Sequence, residues 1–304
     1  MNNMTQCLLL ENPDLSYSKT SNVVNVSSVP QRSPFRYPGG KTWLVPRIRQ
    51  WFGSLPIKPA RLVEPFAGGG IVSLTVAFED LAGSVTMVER DDQVAAVWHT
   101  ILNNDNRWLA DKIVDFDLTV ENIQAVLSEL DQSVRQKAFR TILRNRINHG
   151  GILAPGSGLL KRGENGKGIQ SRWYPETLRK RILNIATVKD RITFIEGDGL
   201  AVLRNELKRP NDIFFIDPPY TASGKKAGSR LYTHSELDHE ELFRLAAALK
   251  GDFLMTYDYA DGVIDLARKH DFDIEAIAMK NTHHTHMSEL LIGRDLDWAR
   301  RRNS

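Results

Sequence analysis

The chain has 304 residues, 41% of them hydrophobic and 25% charged, with a formal net charge of +3. That is enough for one large α/β domain carrying an insertion, or for two ordinary domains. No apolar run approaches the roughly 18 residues that span a bilayer. The opening MNNMTQCLLLENP carries no Lys or Arg before a Leu run too short for a signal-peptide core, and Cys7 is the only cysteine. An internal disulfide and a cysteine-based zinc site are therefore excluded, no membrane is expected, and the expected compartment is the cytoplasm.

The charge is segregated. Between Arg135 and Arg181 twelve Lys or Arg face only Glu164 and Glu176, a surplus of ten, so the rest of the chain carries −7. A solvated helical face is the ordinary meaning of a charge run, but an asymmetry of this size is the footprint of a surface that neutralises phosphates.

Residues 1–32, rich in Asn, Ser and Val without a period, read as a flexible extension. From Arg61 the pattern is strand (RLVEPF), glycine-rich turn, apolar helix through Phe78, strand (SVTMVE) and a helix from Asp91, which together make a βαβ unit. Residues 107–185 show no strand pattern and read as helices broken by the loop HGGILAPGSGLLKRGENGKG, an insertion into the surrounding domain. Alternation resumes with RITFIEGD, a helix to Leu207, DIFFID, a helix from Ser235, DFLMTY and a short helix, and FDIEAIAM with SELLIGRD reads as a closing hairpin. The expected fold is α/β: a Rossmann-like, doubly wound, mostly parallel sheet with an antiparallel edge, split into 33–106 and 186–298 by the insertion.

Three segments carry chemistry. In FFIDPPYT, Phe214 to Thr221, an apolar strand delivers Asp217 to the carboxyl end of the sheet, where open α/β sheets bind ligands. Pro218 and Pro219 stiffen the turn that presents the Asp217 carboxylate, the Pro218 carbonyl and the Tyr220 ring. Two acceptors and an aromatic suit an amino group on a planar base and leave its lone pair free, although Pro-Pro also ends strands for structural reasons alone. In LVEPFAGGG, Leu62 to Gly70, adjacent glycines let the backbone approach a ligand, and Glu89, about twenty residues on, stands where an acid commonly holds a ribose. The G-x-G-x-x-G dinucleotide fingerprint is not met, so a nucleoside cofactor is favoured over a dinucleotide. FRYPGGKT, Phe35 to Thr42, is not a phosphate-binding loop, because Phe35 stands where that motif needs Gly and no strand precedes it; Lys41 there reads equally well as an exposed turn residue.

Taken in order, YPGGK, EPFAGGG, VERDD, a basic helical insertion and DPPY resemble the Dam-type (D12 class) site-specific DNA adenine-N6 methyltransferases, over about Ser33 to Asp297. The resemblance implies methyl transfer from S-adenosylmethionine to the N6 amine of an adenine flipped out of double-stranded DNA, with residues 107–185 as a small target-recognition domain. By the same resemblance Tyr37 and Lys41 border cofactor and base, and Phe66, Ala67 and Gly68 line the methionine end. Glu89 takes the ribose, Asp198 approaches the cofactor adenine, and Asp217, Pro218, Pro219 and Tyr220 hold the target amine. The candidate DNA contacts are Lys137, Arg140, Arg144, Arg146, Lys161, Arg162, Lys167 and Arg172, with Tyr232 in a loop after DPPY that is long enough to close over the base. RNRINHGG, Arg144 to Gly151, stands at the junction of the recognition domain and agrees only in part with the family's RNGYNG segment.

Tyr37 replaces a frequent Trp, and the loop Gly156 to Gly168 has no counterpart, so the DNA sequence read is open. His283, His284 and His286 read as a hairpin tip rather than a metal site, and the chemistry needs no ion. An RNA or protein-amide methyltransferase of the same fold and a degenerate DNA-binding relative stay open as rivals, as do a restriction-system partner and the oligomeric state. Asp rather than Asn before Pro-Pro-Tyr favours DNA adenine by family analogy.

Overall fold

The structure, a computed structural model, describes residues 28–36, 40–130, 133–154, 157–160, 166–219, 237–280 and 286–301. Seven strands form one sheet: β1 Arg61–Glu64, β2 Ser84–Glu89, β3 Ile192–Glu196, β4 Asp212–Ile216, β5 Phe253–Asp258, β6 Asp273–Lys280 and β7 His286–Gly293, in the order β3-β2-β1-β4-β5-β7-β6. β1 to β5 pair in parallel, and β7 runs antiparallel between β5 and β6. The late hairpin expected from sequence is therefore present with its strands exchanged in space, because the last strand enters the sheet and β6 takes the edge.

Helices cover both faces, which is why the central strands are apolar without interruption. α1 Val45–Ser54, α2 Ile71–Phe78 and α3 Asp92–Leu102 lie on one face, and α8 Gly199–Glu206, α9 His239–Ala248 and α10 Asp261–Lys269 lie on the other. Along β4 the side chains alternate between these layers: Ile213 and Phe215 join the first core, Phe214 and Ile216 the second. Burying a side chain of this size is worth about 1.5–3 kcal/mol. α2 buries every residue but Phe78, so it is apolar all round instead of amphipathic. A short helix, α11 Asp297–Arg300, returns to α1, where the Arg47 guanidinium donates to the Ala299 carbonyl.

Between α3 and β3 come α4 Asn106–Asp115, α5 Val120–Ser128, α6 Val134–Ile147 and α7 Pro175–Ala186, and no strand among the described residues. The fold is thus a Rossmann-like, mostly parallel α/β fold with an inserted helical subdomain. The insertion is not built on a core of its own. Leu109, Ile113, Phe139, Ile142, Leu178 and Ile182 belong to the same apolar cluster as α1 to α3, and only Leu118, Ile123, Leu143 and Ile147 form a separate small one. The packed chain also begins earlier than Ser33. Val29 is buried in the core and Arg32 pairs with Glu79 at 3.1 Å while lying over the Phe78 ring, so the end of the Asn/Ser-rich stretch is part of the domain.

Candidate active site

The chain leaves β1 to build β2 and β3 on one side, then crosses back to β4 on the other, so the switch point lies between β1 and β4. Loops diverge there and leave a crevice beyond the strand ends. A cavity of about 450 Å³ occupies it, lined by Lys41, Glu64, Phe66, Ala67, Gly68, Glu89, Asp198, Asp217, Pro218 and Pro219 among others. The residues named come from five separate sequence segments, and the volume is usual for small-molecule sites.

The glycine turn is fixed from several sides. Gly68 N donates to Glu89 Oε2 at 2.9 Å, Trp98 Nε1 donates to the Gly68 carbonyl at 2.9 Å, and Ser33 Oγ donates to the Gly69 carbonyl at 2.5 Å. Gly70, at φ 63°, precedes α2, and a Cβ there would lie 2.5 Å from the Met87 side chain and 2.9 Å from Trp98. Opposite, Gly199 packs so closely on the turn that a Cβ would stand 2.2 Å from the Pro65 carbonyl oxygen. Asp198 accepts from Leu200 N at 2.7 Å and so caps α8, while its other oxygen lies 3.8 Å from Arg90. The same carboxylate thus caps a helix and lines the cavity.

Asp217 closes the far side. Its Oδ1 accepts from Thr256 Oγ1 at 2.8 Å and sits 3.0 Å from Lys41 Nζ. Lys41 is 3% exposed, so the alternative of an exposed turn lysine is overturned: the short 3₁₀ helix Lys41–Leu44 turns its ammonium inward, and 3.6 Å beyond lies Glu289 Oε1 on β7. A buried ammonium is thus shared by two carboxylates, one at the cavity and one behind it. The second oxygen of Glu289 is buried with no hydrogen-bond partner.

Burial dominates the acids here. It pushes Glu64 up to about 8 against the two bonds from Ser73 N and Oγ, with Asp217 and Glu89 adding repulsion. It raises Glu89 to about 7 although Asp91 N and Gly68 N both donate to it, and Glu289 to about 7 although Lys41 is close. Each folded value lies above the ordinary 4.5, so between pH 4.5 and about 8 the folded chain holds more protons than the unfolded one, and stability falls as pH rises through that window. Glu64→Gln, which keeps an acceptor for Ser73, is expected to flatten the decline of the urea midpoint between pH 5 and 8. Parallel curves for variant and parent would refute this.

The basic segment is arranged less simply than its composition. Lys137 pairs with Asp92 of α3, Arg135 with Asp105 just before α4 and Arg179 with Asp111 of α4, carboxylates that a count from Arg135 to Arg181 does not include. Arg140 donates to the Glu129 carbonyl, and half-buried Arg144 donates to Gln93 and to the Leu153 carbonyl. Arg146 is 3% exposed and donates to the Pro34 carbonyl. Lys167 and Arg172 flank a 3₁₀ turn, Gly168–Arg172, and of the two only Arg172 lines the cavity. Tyr37, Lys161, Arg162, Tyr220, Tyr232, His283 and His284 lie outside the described residues, and of His286 only the backbone at the start of β7 is described.

Five residues that sequence reasoning did not nominate stand out: Glu64, Thr256, Glu289, Arg36 and Arg181. Glu64 was in view inside LVEPF, and an acid next to a strand-ending Pro was the available signal. Asn145 is the clearest omission from RNRINHGG. Fully buried, its amide accepts from Arg36 N at 2.8 Å and donates to the carbonyls of Arg36 at 2.8 Å and Gly151 at 2.7 Å, so α6 grips the backbone leading to Lys41.

A doubly wound sheet with an acid-Pro-Pro turn facing a glycine turn across its switch point defines a Rossmann-like α/β domain with a ligand crevice at its sheet edge. Over residues 37–139 the chain is similar to the D12 class N6 adenine-specific DNA methyltransferase family. It is similar to a DNA N-6-adenine-methyltransferase of Escherichia phage P1, 26% identical over 267 residues, which are 81% of this chain and 32% of the phage protein. The chain therefore spans about a third of the length of that relative. Among solved structures it resembles a precorrin-6y C5,15-methyltransferase from Geobacter metallireducens (10% identity, 92% and 93% of the two chains, TM-score 0.35) and a methyltransferase from Geobacter sulfurreducens (14%, 85% and 80%, TM-score 0.37). No helix among the described residues is long and apolar enough to cross a membrane.

Proposed function

We propose that this chain transfers a methyl group from S-adenosylmethionine to the exocyclic N6 amine of an adenine flipped out of double-stranded DNA. The observation that carries this reading is the meeting of Asp217-Pro218-Pro219 and the Gly68 turn in one cavity at the switch point. The lining also fits the cofactor chemically. Its floor is acidic, with Glu64, Glu89, Asp198 and Asp217 at or just beyond the ends of four neighbouring strands, and such a floor matches a ligand bearing a sulfonium and an ammonium. Phe66, Ala67 and Gly68 would hold the methionine end. Glu89 would take the ribose, since a carboxylate has roughly four lone-pair sites and two are used by backbone amides. Asp198 would face the cofactor's adenine, and Lys41 would border the methyl donor through Asp217. When bound, the cofactor supplies an electrophilic methyl.

The protein's own work is positioning. Thr256 and Lys41 both engage Asp217 Oδ1, which fixes the plane of the carboxylate. A carboxylate so held and the Pro218 carbonyl can accept the two amine hydrogens, steering the nitrogen lone pair into the cavity. No covalent enzyme intermediate is needed, and electrostatic polarisation of the amine takes the place of a strong base. A stacked adenine cannot reach this depth, so the base must leave the duplex, at a cost of a few kcal/mol. Lys137, Arg140, Arg144, Arg146, Lys161, Arg162, Lys167 and Arg172 of the insertion, with Tyr232, would supply contacts that offset it, within a helical DNA-facing part spanning residues 107–185 of the chain.

The test is to incubate the purified chain with methyl-labelled cofactor and mixed-sequence duplex DNA, single-stranded RNA of the same sequence, or protein extract. N6-methyladenine in the duplex alone is the expected product. Label appearing only in RNA or protein, or on no substrate while the cofactor binds, would overturn the assignment.

A further inference from the structure

The cavity has two chemically opposite walls. The acids stand on the sheet side, at the strand ends. Besides them the lining includes a cluster of Arg36 from the segment before Lys41, Arg146 from α6, Arg172 and Tyr174 from the stretch preceding α7, and Arg181 from α7. Four guanidiniums on one wall repel one another, and that is a cost which a folded protein bears only for a reason.

Arg146 makes the case sharpest. It is 3% exposed, it donates to the Pro34 carbonyl, and its Nε is buried with no hydrogen-bond partner. Burial lowers its pKa to about 9, and the charges of Arg181, Arg36 and Arg172 press the same way, with Tyr174 opposing them. Arg181 is held beside it by donating to the Ser33 carbonyl at 3.0 Å, and burial lowers its pKa too. The two backbone carbonyls, of Ser33 and Pro34, orient the arginines but are neutral and do not balance them. A buried polar N–H left unmade costs the desolvation of that group, so an anion that enters and takes it up gains where water does not.

We infer that this wall is a phosphodiester site, in which Arg146 and Arg181, flanked by Arg36 and Arg172, hold a backbone phosphate of the strand whose base enters the cavity. This rests on the function proposed above. A base that reaches Asp217 stays tied to its own phosphates, so one of them must lie close to the same cavity, and the arginine cluster is what its lining offers a phosphate. The site differs from a phosphate-tracking surface because Arg146 is buried and Arg181 half-buried, each held in place by a backbone carbonyl. Such a site is set to register one phosphate next to the target nucleotide, not to attract duplex DNA in general.

The experiment uses duplexes carrying a single neutral methylphosphonate at each phosphate around the target adenine in turn, with the full chain and with Arg181→Gln. Arg146→Lys serves as a second variant in case loss of the Ser33 bond in Arg181→Gln disturbs folding. At subsaturating DNA, one adjacent methylphosphonate is expected to slow methylation by the parent chain about 10-fold or more, the size of a lost hydrogen bond to a charged group. The same substitution should cost Arg181→Gln less than about 2-fold, since the partner is already gone. Cofactor affinity by calorimetry should be unchanged in the variants. A flat methylphosphonate series, or an equal penalty in parent and variant, would overturn the site; a loss of cofactor affinity would assign the anion to the cofactor's carboxylate and overturn it equally. Binding of the same duplexes is followed by fluorescence anisotropy. If the parent chain methylates nothing but a methylphosphonate-sensitive contact disappears in Arg181→Gln, the proposed reaction falls and the phosphate site stands.

Discussion

Asp217→Ala is expected to lower single-turnover methyl transfer to DNA by about three orders of magnitude or more, the scale of losing a preorganised polar group aimed at the reacting atom. The effect should fall on the chemical step. Asp217 is the residue through which the strand end, the 3₁₀ helix at Lys41 and β5 at Thr256 all act on one point of the cavity. Asp217→Asn separates charge from shape. Its carbonyl oxygen can still accept from Thr256 and Lys41, but its NH₂ group would then face an amine that also needs acceptors. A loss comparable to that of Asp217→Ala, with cofactor affinity within about 3-fold of the parent, is the expected pattern. Transfer at a near-parental rate by either variant would remove Asp217 from the mechanism.

How far the sequence discloses this site depends on the range of the interactions that build it. DIFFIDPPY and LVEPFAGGG are legible because each is a local unit: an apolar strand buried on both faces, followed by residues that stop it, with the functional groups in the stopping turn. The placement of both at one switch point follows from strand-helix alternation, which fixes a parallel sheet. Glu289 is different. It is an acid inside the apolar strand SELLIG, and its meaning comes from β7 entering beside β5, opposite Asp258, and from a lysine nearly 250 residues earlier. No local pattern encodes that register.

The arginines mark a second limit. Composition treats Arg140, Arg144, Arg146 and Arg181 alike, as charge on a basic segment. In the fold, Arg144 ties α6 to α3 and Leu153, whereas Arg146 and Arg181 turn inward onto the carbonyls of Pro34 and Ser33. Whether an arginine faces phosphate, protein or cavity is decided by which side of a helix meets the core, and α6 is apolar on too broad an arc for its sequence to say. Eight of its fourteen residues, Arg146 and Asn145 included, are buried. The same helix therefore serves as core, as clamp on the segment leading to Lys41 and as wall of the cavity.

Lys41→Met should cost more than its own contacts. It would leave the Asp217 and Glu289 carboxyls close together, with Asp258 paired opposite Glu289 on β5 and the Lys41 ammonium gone. Removing one partner of a buried ion pair typically destabilises by about 3–5 kcal/mol, because the remaining charge is uncompensated. Adding Glu289→Gln should recover much of that stability, as it deletes one of the two acids that shared the lysine, but little of the activity, since Asp217 Oδ1 still lacks the ammonium beside its Thr256 bond. Glu289→Gln alone isolates the electrostatic part. Burial raises Glu289 to about 7, so as pH rises through 7 in the parent chain Glu289 ionises, takes a share of the Lys41 charge and leaves Asp217 the stronger acceptor. The methyl-transfer rate is therefore expected to climb with pH across that range in the parent and to lose this limb in Glu289→Gln. If the variant merely melts earlier and keeps the parental pH-rate profile, Glu289 is a packing residue and the shared ammonium has no part in tuning the site.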